Sequence, residues 1–69
     1  MNKQEIERDM SSTFKGARLL NIAQIAVYIG CNRDTASKIM SDIEYLPVGR
    51  QRKYTVKDIA KVIVERKIS

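Results

Sequence analysis

The chain is predicted to be a small, mainly α-helical domain carrying one β-hairpin. Three observations lead there. Between Asn21 and Ile43, apolar residues recur at helical spacing on both sides of a short turn that contains Gly30. That period breaks at Leu46-Pro47-Val48-Gly49-Arg50, a segment suited to a strand and a tight turn. Helical spacing then returns from Val56 to Val64.

The first 18 residues form a polar segment, expected to be a short helix at most. Ile6 and Met10 stand four apart and give one helical turn a small apolar side, and Ser11-Ser12-Thr13 reads as a break or a cap. The expectation is a frayed tail or a weak helix leaning on the domain. Phe14 to Arg18 is a connector, with Phe14 placed to plug the edge of the core. Residues 19–69 are assigned to the folded domain.

Asn21 suits the N-cap of a first helix, because its side-chain oxygen can accept from an otherwise unpaired backbone N–H. Ile22, Ile25, Ala26 and Ile29 follow at i, i+3, i+4 and i+7, one apolar face of that helix. Gly30 can adopt the left-handed conformation that ends a helix at little cost. Asn32 caps a second helix, expected over Arg33 to Asp42, whose buried side is Ala36, Ile39, Met40 and Ile43. Two short helices joined by a glycine-containing turn make a helix-turn-helix. Ala26 and Ala36 are small enough for the helices to cross closely.

Pro47 disfavours helix at its own position and just before it, so Tyr45 to Val48 is extended. Gly49-Arg50-Gln51-Arg52 supplies a turn and Lys53 to Val56 returns as a second strand. Thr55 caps the last helix, and Asp58 stands where a capping box has Glu or Gln. Its buried stripe is Val56, Ile59, Ala60, Ile63 and Val64. Arg66 and Lys67 near its end suit the helix dipole. Tyr28, Tyr45 and Tyr54 are expected in the core or at its edge, and Cys31 in the interhelical turn as a small packing residue.

Composition narrows the function classes. With 69 residues the chain is read as one domain, with no room for a separate catalytic unit. One cysteine and no histidine rule out an internal disulfide and imidazole chemistry, so no enzyme, metal or cofactor is expected. No long apolar run or signal peptide is seen, and a cytoplasmic protein without a membrane partner is expected. Formal charge is +5 and unevenly placed. Residues 1–13 carry −1, from two cations and three anions, whereas the remaining 11 cations and 5 anions give residues 14–69 a charge of +6. Such a basic excess favours a polyanionic partner, most often nucleic acid.

The candidate binding residues are Arg33, Thr35, Ser37, Lys38 and Ser41 on the second helix, with Arg50, Gln51, Arg52 and Lys53 on the hairpin. Arg33 can offer two parallel donors to a guanine edge or meet a flanking phosphate. Lys38 suits a phosphate, which adds affinity with little sequence information. Thr35, Ser37 and Ser41 are short enough to allow close approach. Asp34 either steadies the helix start or accepts from a cytosine amino group. Arg50, Arg52 and Lys53 crowd a hairpin tip that can reach backbone or minor groove.

From Leu19 to Lys67 the order of parts resembles the small winged helix-turn-helix domains of phage and transposon excisionases and the related MerR-type and AlpA-type regulators. The resemblance rests on Ile22 to Thr35, on Leu46-Pro47-Val48-Gly49-Arg50, and on Tyr54-Thr55-Val56-Lys57-Asp58-Ile59. Asn32 stands where the family usually has serine, and Ala36 where it has a larger apolar residue. The resemblance implies that Arg33, Thr35, Ser37 and Lys38 face the major groove while Arg50, Gln51 and Arg52 grip the adjacent minor groove or backbone. It also implies a role without chemistry: binding repeated sites in double-stranded DNA, with neighbouring protomers cooperating, bending it, and helping an integrase or recombinase to excise an element. A small phage or mobile-element transcriptional regulator is the alternative, and a protein-protein adaptor on the same fold a second.

Overall fold

The computed structural model describes residues 2–66; Lys67, one of the two cations expected near the end of the last helix, lies outside them. Four helices and a three-stranded antiparallel sheet follow in the order α1 (Lys3–Thr13), β1 (Leu19–Asn21), α2 (Ile22–Ile29), α3 (Arg33–Ile39), β2 (Leu46–Val48), β3 (Gln51–Thr55) and α4 (Val56–Arg66). The mainly helical class with a hairpin is therefore present, with one strand more than the sequence announced.

The polar N-terminal segment is not a frayed tail. Asn2 Oδ1 accepts from the Glu5 amide at 2.9 Å and starts α1, and Ile6 and Met10 are both buried. They lie one turn apart and pack chiefly towards α4, within the same core as the rest of the domain. Ser11, Ser12 and Thr13 do not break this helix but form its last turn. The Thr13 hydroxyl donates to the Asp9 carbonyl at 2.8 Å, so it is satisfied without leaving the helix. Phe14 packs at the core edge against Tyr28, ring centroids 6.4 Å apart.

β1 is the strand the sequence does not announce. Leu19, Leu20 and Asn21 pair with Thr55, Tyr54 and Lys53, and the sheet order is β1-β3-β2. Leu20 and Tyr54 are opposite one another and buried, which fixes the inner face of the sheet.

The hairpin pairs Leu46 with Lys53, Pro47 with Arg52 and Val48 with Gln51. Its turn is therefore Gly49-Arg50 alone, and Gln51 and Arg52 belong to the strand. Gly49 has φ 61°, and glycine at positive φ in the first central position is what a two-residue type II′ turn requires. Pairing then resumes at once. In an antiparallel ladder hydrogen-bonded and non-hydrogen-bonded pairs alternate. Val48–Gln51 closes the turn, so Pro47 falls at a non-hydrogen-bonded position and its nitrogen faces outward from the sheet edge. A missing N–H there costs no ladder bond and blunts an exposed edge strand.

Asn21 and Gln24 form a reciprocal capping box at α2, with bonds of 2.8 and 3.0 Å. Gly30 ends the helix at φ 87°, and its N–H and that of Cys31 both reach the Ala26 carbonyl. Asn32 Oδ1 accepts from the Thr35 amide at 2.8 Å and starts α3. That helix ends at Ile39, not at Asp42. Ser41 N–H bonds to Lys38 O and Ile43 N–H to Met40 O, three-residue bonds that tighten and close the last turn. Ala26 and Ala36 are both buried at the α2–α3 crossing.

Ile25, Met40 and Ile59 are fully buried alongside Met10 and Leu20, while Ile22, Ile29, Ile39, Ile43, Val56 and Ile63 are half-buried around them. On α4 the stripe is shifted from the predicted one. Val62 is buried and Val64 is 38 % exposed. At 100° per residue Val62 lies about 60° from Ile59 and Val64 about 140°, off the edge of the covered face. Thr55 Oγ1 accepts from the Asp58 amide at 3.1 Å, a simple cap with no reciprocal bond from Asp58 among the described residues.

Candidate functional site

α3 and the hairpin tip share one concave surface. Arg33 and Ser37 from α3, Arg50, Gln51 and Arg52 from the hairpin, and Asn21, Ile22 and Ala23 from the start of α2 line an open cleft of about 520 Å³. Local rules put them there. Arg33 and Ser37 are four apart, about 40° from each other round a helix, so both look to the same side. The two-residue turn brings Arg50 to the tip of the hairpin, with Gln51 and Arg52 directly after it. β1 and the capping box bring the first turn of α2 between them.

The cleft is cationic. Among the described residues the one ion pair within 4.0 Å joins Lys61 and Glu65 on α4, so Arg33, Arg50 and Arg52 have no carboxylate partner at that distance. Arginines gathered round a cleft without internal counterions repel one another and are stabilised when an external anion approaches. Asp34 does not line the cleft; it sits exposed in the first turn of α3, where a carboxylate is favoured by the helix dipole.

Four of the nine predicted residues stand apart from it. Thr35 lies about 200° round α3 from Arg33, on the other flank of the helix. Lys38 is exposed on the outermost side, about 140° from Arg33, where it can meet a surface laid across the helix but not the cleft floor. Ser41 falls beyond the end of α3, in the turn. Lys53 shares its strand face with Gln51 but stands two residues further from the hairpin tip, half-buried between Asn21 and Leu46. Asn21, Ile22 and Ala23 are the residues the sequence could not assign to the site. Their only signal is a cap, which says how α2 starts and nothing of what lies in front of it.

Arg52 is held by aromatic rings. Its guanidinium lies over the Tyr45 ring, 5.0 Å from the centroid, and Tyr45 in turn meets Tyr54 at 6.0 Å with the rings tilted by 55°. Tyr54 is buried, whereas Tyr45 is 46 % exposed and does not belong to the core. At the α1–α2 contact, the Tyr28 hydroxyl donates to Asp9 Oδ2 at 2.5 Å. Burial pushes the Tyr28 phenol up to about 12, and the hydrogen bond to Asp9 and its negative charge act in the same direction.

Away from the cleft, Asp42, Glu44, Asp58 and Glu65 border a shallow acidic groove with Lys61, and Ile29, Ile39, Val62 and Ile63 border an apolar one. No charged or polar residue is buried among the described residues, and no three His, Cys, Asp or Glu side chains group there as a metal site would require. No described helix is long and apolar enough to cross a membrane. No protein-family model, no curated protein and no solved structure matches the chain.

Proposed function

We propose that the domain is a winged helix-turn-helix that binds double-stranded DNA, with α3 as the helix entering the major groove and the β2–β3 hairpin as the wing. One observation carries this reading: Arg33 and Ser37 of α3 and Arg50, Gln51 and Arg52 of the hairpin open onto one cationic cleft, without carboxylate partners among the described residues. An α-helix fits the major groove, which is about 12 Å wide. With α3 seated there, Arg33 meets base edges and Lys38 a phosphate along the outer side. Arg50 and Arg52 then track the neighbouring backbone or minor groove. Thr35, Ser41 and Lys53 are assigned lesser roles, because they lie off the cleft.

Within that reading the role is that of an excisionase-like architectural factor, cytoplasmic and non-catalytic, that bends DNA in cooperation with neighbouring protomers and assists a recombinase. Bending a site costs of the order of a few kcal/mol, which the wing's phosphate contacts offset. A gel-shift competition with the DNA flanking its gene tests the binding. Arg33→Ala is expected to erase the preference for that DNA over mixed-sequence competitor, and Arg52→Ala to weaken binding to all duplexes alike. If neither substitution alters duplex affinity, the reading is wrong. Gene deletion separates the excision role, where element excision stops, from a regulator's, where only promoter output changes.

A further inference from the structure

Resting on that DNA-binding reading, we infer that Tyr45 is a positioning residue for the wing. It holds the Arg52 guanidinium at the mouth of the cleft before any nucleic acid arrives.

The inner face of the sheet carries the relevant ladder. Leu20 and Tyr54 are paired on it and buried. Extending the β2–β3 register by one residue sets Tyr45 opposite Tyr54, and Arg52, two residues before Tyr54, shares that face. Arg52 and Tyr45 are thus diagonal cross-strand neighbours, a separation that long and aromatic side chains span. The observed geometry follows: Tyr54 anchored in the core, Tyr45 tilted against it at 6.0 Å, and the guanidinium above Tyr45 at 5.0 Å. A cation over a ring face is attracted by the ring quadrupole. Tyr45 is 46 % exposed, so packing alone gives little reason for a large aromatic at this place. Arg52 is itself exposed and lines the cleft. An unrestrained arginine would sample many rotamers and lose that freedom on meeting a phosphate. A stacked one has already lost much of it.

The test is fluorescence anisotropy with a labelled duplex of mixed sequence, comparing the native chain with Tyr45→Leu, Tyr45→Phe, Arg52→Ala and the Leu/Ala double variant. Tyr45→Leu keeps apolar volume against Tyr54 but removes the ring face. Affinity is expected to fall about two- to tenfold in Tyr45→Leu, the range of one side chain's ordering cost. It should be retained in Tyr45→Phe, and the Leu substitution should add nothing once Arg52 is alanine. Circular dichroism melts identify any variant whose loss comes from unfolding. Should Tyr45→Leu fold poorly, Tyr45→Met serves in its place. Unchanged or tighter binding by the folded Leu variant overturns the positioning role, since tighter binding means that the stack competes with DNA for Arg52. An equal loss from Tyr45→Leu in the Arg52→Ala background overturns it too. Duplex binding by the native chain with no effect of Arg52→Ala sinks this inference while sparing the DNA reading; no duplex binding at all sinks both.

Discussion

Met10→Ala is the substitution that asks most of the fold. Met10 sits in the last full turn of α1 with no solvent exposure, packed in a core shared with α4. Truncation removes three side-chain heavy atoms from a site closed on every side. Methionine-to-alanine changes in such places cost about 2–5 kcal/mol, depending on how far the surroundings collapse. A domain of 69 residues has a total stability of roughly 3–10 kcal/mol at typical per-residue values. The loss is therefore a large fraction of the whole. Each kcal/mol moves the melting temperature of a domain this size by about 4–8 °C, so a 3 kcal/mol loss lowers it by roughly 12–24 °C. Urea titration followed by circular dichroism measures the change, with Arg8→Ala, an exposed change on the same helix, as the comparison. Arg8→Ala should stay within about 0.5 kcal/mol of the native chain. If Met10→Ala is equally silent, α1 is an appendage and its place in the core is wrong.

Three further outcomes are expected. Tyr28→Phe removes the bond between α2 and Asp9 of α1. The folded-state phenol titrates near 12 against about 10 when unfolded, so the native chain's Tyr28 contribution is whole below pH 10 and lost as pH rises from there through 12. Paired melts across that range should show the native chain losing stability relative to Tyr28→Phe, and equal slopes would refute the coupling. Asn32→Ala deletes the 2.8 Å cap bond to Thr35; about 1 kcal/mol of stability should go, read as a melting shift of about 4–8 °C. Gly49→Val places a β-branched residue at φ 61° in the hairpin turn, and it should weaken duplex binding and lower the melting temperature together.

The α2–turn–α3 unit is legible in the sequence because every signal is local. Asn21 and Asn32 cap, Gly30 stops, and the isoleucines keep a helical period. β1 is not legible. Three residues are too few to display alternation, and Leu19 to Asn21 become a strand only because β3 offers a partner. α1 looks weak for a related reason: it buries just Ile6 and Met10 of eleven residues, and its stability comes from α4, fifty residues away in the chain. The end of α3 is not legible either, because Met40 and Ile43 continue the apolar period after the backbone has already tightened into three-residue bonds. At the site, the arginines are visible as charges. Which cations share a cleft is decided by the turn's two-residue length, which puts Arg50 and Arg52 at the tip and leaves Lys53 further down the strand, paired with Asn21 and Leu46. The contribution of Asn21, Ile22 and Ala23 exists only once the chain has folded.

The most direct measurement is duplex affinity as a function of salt. Arg50 and Arg52 at the wing and Lys38 on the outer side of α3 are each assigned a phosphate. About 0.9 of a counterion released per neutralised phosphate gives log affinity against log salt a slope of roughly −3. Arg52→Ala should make that slope shallower by about 1. A slope near zero, or no binding to duplex DNA at low salt, would contradict the proposal that the cationic cleft is built for a double helix.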